Sequence, residues 1–267
     1  MRKRIYLIGA VAAVSSLAFA GVAQAAITYN PQQLEVKTSA GKLDKKKAGP
    51  VNSLFVDVIT PYTGSGLPID KRATNTKVYF PKDYSFSTKG LSQCDPNAAG
   101  FNTSTTEAAK AACGASQVGS GSAALVGAVA GVTAVVTAFN GTQPEGRDTI
   151  LLHSRTTAGT TTVLIGTLKP SNIGGFGKML DVPVPLLLGG AFAISDFNTT
   201  IPKVQLPGKA ASSAKKKKKK AKKYYVMAKC SKKKWTFRAD STYDDSSTST
   251  ASDQTTCKQK KAKKKKK

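Results

Sequence analysis

Histidine is almost missing from this chain: His153 is the only one in 267 residues, and tryptophan also occurs once. A single histidine leaves one place for a Ser–His–Asp or Cys–His constellation, and no G-x-S-x-G elbow accompanies it. The four cysteines contain no C-x-x-C pair, which argues against a zinc site. Acidic side chains are scarce, 15 against 41 Lys and Arg, and they are scattered. Asp181 and Asp196 fall in strand-like runs where two carboxylates could serve glycoside hydrolysis if the fold brought them together. Asp240, Asp244, Asp245 and Asp253 lack the EF-hand spacing of a calcium loop. The GGFGK stretch at 174–178 has Asn172 where a phosphate-binding loop needs its first glycine, and Met179 where it needs Ser or Thr. No catalytic, cofactor-binding or metal-ligating set emerges, and the expectation is a protein that is not an enzyme.

Long apolar runs are also lacking, except at the start. Arg2, Lys3 and Arg4 precede IYLIGAVAAVSSLAFAGV, and Ala23-Gln24-Ala25 forms an A-x-A cleavage site. This is the three-part pattern of a secretory signal peptide over residues 1–25, with a mature chain starting near Ala26. Downstream, no stretch reaches the ~18 apolar residues of a membrane span. The first cysteine is Cys94, so no lipid-bearing cysteine stands at the cleavage point, and no LPxTG sorting signal is present. An exported, secreted or cell-wall-associated protein without a membrane span is expected.

What the chain has in abundance is lysine. The formal net charge is +26. Residues 209–267 hold 22 basic and 4 acidic side chains, net +18, whereas residues 26–208 hold 16 and 11, net +5. One dense block comprises Lys215, Lys216, Lys217, Lys218, Lys219, Lys220, Lys222 and Lys223. The other runs from Lys258 through Lys260, Lys261, Lys263, Lys264, Lys265, Lys266 and Lys267. Like charges at this density repel, so both blocks are expected to be extended and solvated. Outside the cell their natural partners are anionic envelope polymers and lipid headgroups, bound without specificity, while the alternative is that they only keep the chain soluble. No RNP motif, helix-turn-helix pattern or aromatic interleaving points to sequence-specific nucleic-acid readout.

The remaining sequence reads as strands. VNSLFVDVI alternates, with Leu54, Val56 and Val58 on one face and Phe55, Asp57 and Ile59 on the other. Prolines interrupt KVYFPKDYSF and KMLDVPVPLLL, which marks edge strands or bulges. GSAALVGAVAGVTAVVTAFNG carries too many glycines for a helix, each costing about 1 kcal/mol there, and reads as two strands. TILLHSRTT and TTTVLIGTL form a hairpin around Ala158-Gly159. TSTTEAAKAAC is a short helix with an N-cap among Thr103, Ser104 and Thr105. WTFRADSTY alternates with Trp235, Phe237 and Ala239 inward. Four cysteines in an exported chain form two disulfides, and of three possible pairings the sequential one, Cys94–Cys113 and Cys230–Cys257, is favoured.

The expected fold is all-β, an antiparallel β-sandwich with one short inserted helix and two disulfides. The body spans 26–208, a lysine-rich loop 209–223, a β-meander packed on the body 224–258, and a disordered basic tail 259–267.

The stretch VYFPKDYSFSTKGLSQC, a second cysteine, SQVGSGSA, AFNG, the LLHSRTT–TVLIGTL hairpin and YYVMAKCSKKKWTFRADSTY with a closing cysteine together carry a resemblance. The chain resembles a group of secreted β-rich proteins of high-GC Gram-positive bacteria that have no established activity. The resemblance implies export, a β-rich body and the sequential cysteine pairing, and it brings no site residues. The functional expectation is an exported, envelope-associated structural or binding protein, a monomer without a cofactor, held to anionic polymers by its lysines. A secreted hydrolase acting on envelope carbohydrate and a non-specific extracellular nucleic-acid binder are the alternatives.

Overall fold

A computed structural model describes residues 27–64, 66–88, 90–142, 148–207 and 222–261. The expected signal peptide, 1–25, lies outside the described residues. The alternation in VNSLFVDVI shows how the wall is made. Strand β4 (Ser53–Ile59) turns Leu54, Val56 and Val58 inward, while Phe55, Asp57 and Ile59 face out, because successive side chains in a strand point to opposite faces. β1 (Thr28–Tyr29), β2 (Gln33–Ser39) and β3 (Gly49–Pro50) precede it, and β5 (Tyr62–Thr63), β6 (Ala73–Pro81) and β7 (Tyr84–Phe86) follow. After the helix α1 (Thr106–Cys113) come β8 (Gln117–Gly127), β9 (Thr133–Asn140), β10 (Asp148–Thr156), β11 (Thr161–Pro170), β12 (Phe176–Pro183) and β13 (Phe192–Pro202). The chain closes with β14 (Val226–Ala228), β15 (Lys234–Tyr243) and β16 (Thr248–Thr256).

Eleven of these strands form one antiparallel sheet in the order β16-β15-β6-β12-β11-β10-β9-β8-β13-β4-β2. This corrects the sandwich expectation: the fold is all-β, but the hydrogen-bond ladder runs unbroken and the sheet curls into a near-closed barrel. The edge strands β2 and β16 lie against each other. They are joined by side chains, with the Val36 amide donating to Asp253 Oδ2 at 2.7 Å and the Gln32 amide to Ser249 Oγ at 3.4 Å. Bulges in the β8–β13, β8–β9 and β12–β6 ladders add the local twist that curvature requires. Gly121 allows β8 to press against β13, since a Cβ there would overlap the Asn198 carbonyl oxygen.

The prolines mark strand ends. Pro81 and Pro183 are the last residues of β6 and β12, both interior strands of the large sheet; the β12–β6 ladder is bulged opposite Pro81, and β7 beyond it is an edge strand of the small sheet. The C-terminal segment also departs from expectation. β15 pairs directly with β6 and belongs to the barrel, while β14 joins β3 and β7 in a small separate sheet. β15 and β16 are thus part of the wall and not a meander laid on it. The physical reason is that β15 buries Trp235, Phe237, Ala239 and Tyr243 on one face, and only a place in the wall covers all four.

The outer wall carries charged side chains alongside exposed apolar ones such as Val135 and Ile165. Asp240, Lys77 and Asp181 stand side by side across β15, β6 and β12, a ladder of alternating sign. No helix among the described residues is long and apolar enough to cross a membrane.

One patch of the outer wall is covered. Residues 94–116 form an excursion closed by the Cys94–Cys113 disulfide, with Cα atoms 5.4 Å apart. Thr105 caps α1, its side chain accepting from the Ala108 amide at 3.2 Å. Phe101 and Ala109 pack on Phe139 and Leu151 from β9 and β10. This cover explains why ILLHS in β10 does not alternate: both of its faces are buried.

Candidate functional site

Antiparallel order sends alternate loops to opposite ends of the barrel. At one end emerge the segments after β2, β6, β9, β11, β13 and β16 and those before β4, β8, β10, β12 and β15. This end gathers lysines from three distant parts of the sequence. Lys42, Lys45, Lys46 and Lys47 follow β2, Lys232, Lys233 and Lys234 lead into β15, and Lys258, Lys260 and Lys261 follow β16. All ten are exposed.

The backbone under these lysines is firmly tied. Leu43 donates to the Lys258 carbonyl and accepts from the Lys260 amide, each at 2.8 Å. The Cys230 amide donates to the Asp44 carbonyl at 3.0 Å, and the Cys257 amide to the Lys233 carbonyl at 2.9 Å. The Cys230–Cys257 disulfide, with Cα atoms 5.9 Å apart, joins two of the three segments covalently. Below them the Trp235 indole donates to the Lys229 carbonyl at 3.0 Å and stacks edge-on against Tyr84, centroids 5.1 Å apart. The lysines therefore sit on a platform fixed by the core.

Two acids lie among them, and both are committed locally. Asp44 accepts from the Lys46 and Lys47 amides at 2.8 and 3.1 Å, bonds that hold its carboxyl below the ordinary range. Asp83 accepts from the Ser231 amide and hydroxyl, each at 2.8 Å. Like charges on a rigid frame cannot spread apart, so the platform favours an external anion.

Of the lysines singled out in the sequence, Lys222, Lys223, Lys258, Lys260 and Lys261 are described and exposed. Lys215 to Lys220 and Lys263 to Lys267 lie outside the described residues. The described flanks of both blocks belong to the same end: the Leu206 amide donates to the Lys223 carbonyl at 3.0 Å, and Lys260 pairs with Leu43. Lys42 to Lys47 were not read from the sequence as part of this site. The KLDKKK run is a visible signal, but its neighbours in space are about two hundred residues away.

The carboxylates fall apart differently from the pairing considered in the sequence. Asp181 faces outward on β12, where Lys169 Nζ approaches Oδ2 at 2.6 Å and Asn75 Nδ2 donates to Oδ1 at 2.9 Å. Burial works against its charge, yet these two partners outweigh it and hold the carboxyl below its ordinary value. Asp196 sits on β13, the strand paired with β4, near enough to Asp57 for its charge to be felt. Desolvation, with the Asp196 carboxylate next in weight, pushes Asp57 up to about 6. Asp181 and Asp196, the two carboxylates considered together in the sequence, stand on β12 and β13, which are not neighbours in the sheet. Asp240, Asp244 and Asp245 each engage a separate cation, Arg238, Arg72 and Lys71. Among the described residues no group of His, Cys, Asp and Glu could hold a metal ion.

His153 is fully buried under the excursion, its ring 5.3 Å from that of Phe101 and its Nε2 3.0 Å from Ser104 Oγ. Burial lowers its pKa. Its position is that of a packed histidine beneath a cover. Gly174 and Gly175 of GGFGK lie in the turn between β11 and β12, and Phe176, Gly177 and Lys178 open β12.

Inside the barrel lies a cavity of about 120 Å³. Val56, Leu152, Leu164, Val182 and Phe197 contribute to its lining. At about 24 cal/mol per Å³, an empty void of this size costs roughly 3 kcal/mol. No known protein family, curated protein or solved structure matches the chain.

Proposed function

We propose that this is an exported binding protein, held at the cell envelope by anionic polymers that contact the lysine-bearing end of the barrel. The observation that carries the reading is the platform: ten exposed lysines from three sequence-distant segments, tied together by backbone hydrogen bonds and a disulfide. Flexible tails alone would also attract polyanions. A fixed patch adds an orientation, with the basic end toward the polymer and the opposite end outward.

Attachment of this kind is electrostatic and therefore screened. The Debye length shrinks from about 10 Å at 0.1 M salt to about 3 Å at 1 M. The test is to wash envelopes of producing cells with rising salt. It compares the full chain, a chain ending at Cys257, and a full chain with Lys42, Lys45, Lys46 and Lys47 changed to glutamine. Release that rises smoothly with salt, and shifts to lower salt in both variants, is the expected result. Retention indifferent to salt and to both variants would overturn the reading. Anionic lipid vesicles presented to the same proteins separate headgroup binding from polymer binding.

A further inference from the structure

The cavity has a chemistry of its own, independent of the lysines. Close-packed interiors keep few voids larger than a water molecule, and this one is walled mainly by aliphatic side chains. Several of its polar lining groups are engaged elsewhere. Thr76 Oγ1 bonds Ser241 Oγ at 2.9 Å, Thr149 donates to the Thr142 carbonyl, and Asp148 accepts from Thr88. What those groups leave for a guest is an apolar surface. The volume is near that of the engineered ~150 Å³ cavity that admits benzene.

A small crevice at the end opposite the platform borders the cavity. Ala73, Val184 and Ile194 line both the cavity and this crevice, beneath residues 184–190. This strap carries Leu186 and Leu188 at 62% and 49% exposure, unusual for leucine beside an apolar interior. Leu188, Gly189 and Gly190 all have positive φ, at 48°, 67° and 90°, a tight left-handed turn that leads the strap back into β13. Arg72 Nε donates to the Gly190 carbonyl at 2.7 Å and anchors it.

We propose that the barrel interior binds a small uncharged apolar molecule, or the end of an alkyl chain, admitted beneath the 184–190 strap. The guest replaces the missing contacts of the void with dispersion contacts, and the exposed leucines supply apolar surface along its path.

The test uses neutral probes, benzene, hexan-1-ol and octan-1-ol, because fatty acids would also bind the lysines. Calorimetric titration of the full mature chain in 0.5 M salt should give one saturable site with a negative heat-capacity change. Val182→Phe, which fills the void, should weaken binding at least tenfold. Leu152→Ala, which enlarges it, should shift the preference toward the longer alcohol. The second variant and the wild type keep the test decisive if the first does not fold. Absence of saturable binding to the wild type, or the same affinities and chain-length preference in Leu152→Ala, would overturn the proposal. Since the titration is done where electrostatic attachment is screened, its failure is distinct from failure of the envelope reading.

Discussion

Replacing Asp57 with asparagine should stabilise the protein at neutral pH, although it removes a charged group from a charged surface. Asp57 is 7% exposed on the outer wall, its Oδ1 has no hydrogen-bond partner, and Asp196 stands beside it. Its pKa rises from 3.8 to about 6. That rise means the folded state holds the proton more tightly than the unfolded chain. Stability from this group is full below about pH 4 and is lost as pH climbs through 6. The difference corresponds to about 3 kcal/mol at pH 8. Asparagine stays neutral at every pH, so the variant keeps what the wild type loses. Urea unfolding at pH 4, 6 and 8 measures it. The variant should exceed the wild type by about 2–3 kcal/mol more at pH 8 than at pH 4, or about 4–12 °C in melting temperature for a domain of this size. A stability difference that does not change with pH, or a variant weaker at pH 8, would refute the reasoning.

His153 should act in the opposite direction. Its lowered pKa means stability present above pH 6.5 is lost on acidification, and in the Asp57→Asn background His153→Gln should flatten that loss between pH 7 and 5, as followed by thermal melts. Gly121→Ala must push on the Asn198 backbone and should cost about 3 kcal/mol in urea unfolding, whereas a cost under about 0.5 kcal/mol would mean the barrel wall yields there. Changing both Cys230 and Cys257 to serine opens a loop with a sequence separation of 27 and should cost about 3–4 kcal/mol. The same change should lower the salt concentration that releases the chain from envelopes, because the platform segments lose their covalent tie.

The sequence by itself determined what depends on neighbours along the chain. Period-two alternation placed Leu54, Val56 and Val58 on one face and Trp235, Phe237 and Ala239 on another, and the Thr105 cap and alanine-rich turn marked α1. The turn at Ala158-Gly159 was legible because Gly159 takes a positive φ of 81°. The sequential cysteine pairing expected in the sequence is the one formed, and the register that brings Cys257 to the β15 shoulder places Thr256 opposite Lys234. Tertiary structure decided the rest. A sandwich and a near-closed barrel share the same alternation, and the choice between them lies in twist, bulges and the meeting of β2 with β16, all of which link distant residues. Val36 meets Asp253 across 217 positions, and Asp57 meets Asp196 across the β4–β13 ladder. Lys42 to Lys47 joined the platform for the same reason. Local pattern tells a residue which way to face, whereas only closure of the sheet tells it whom it faces, and both the basic end and the apolar cavity are products of that closure.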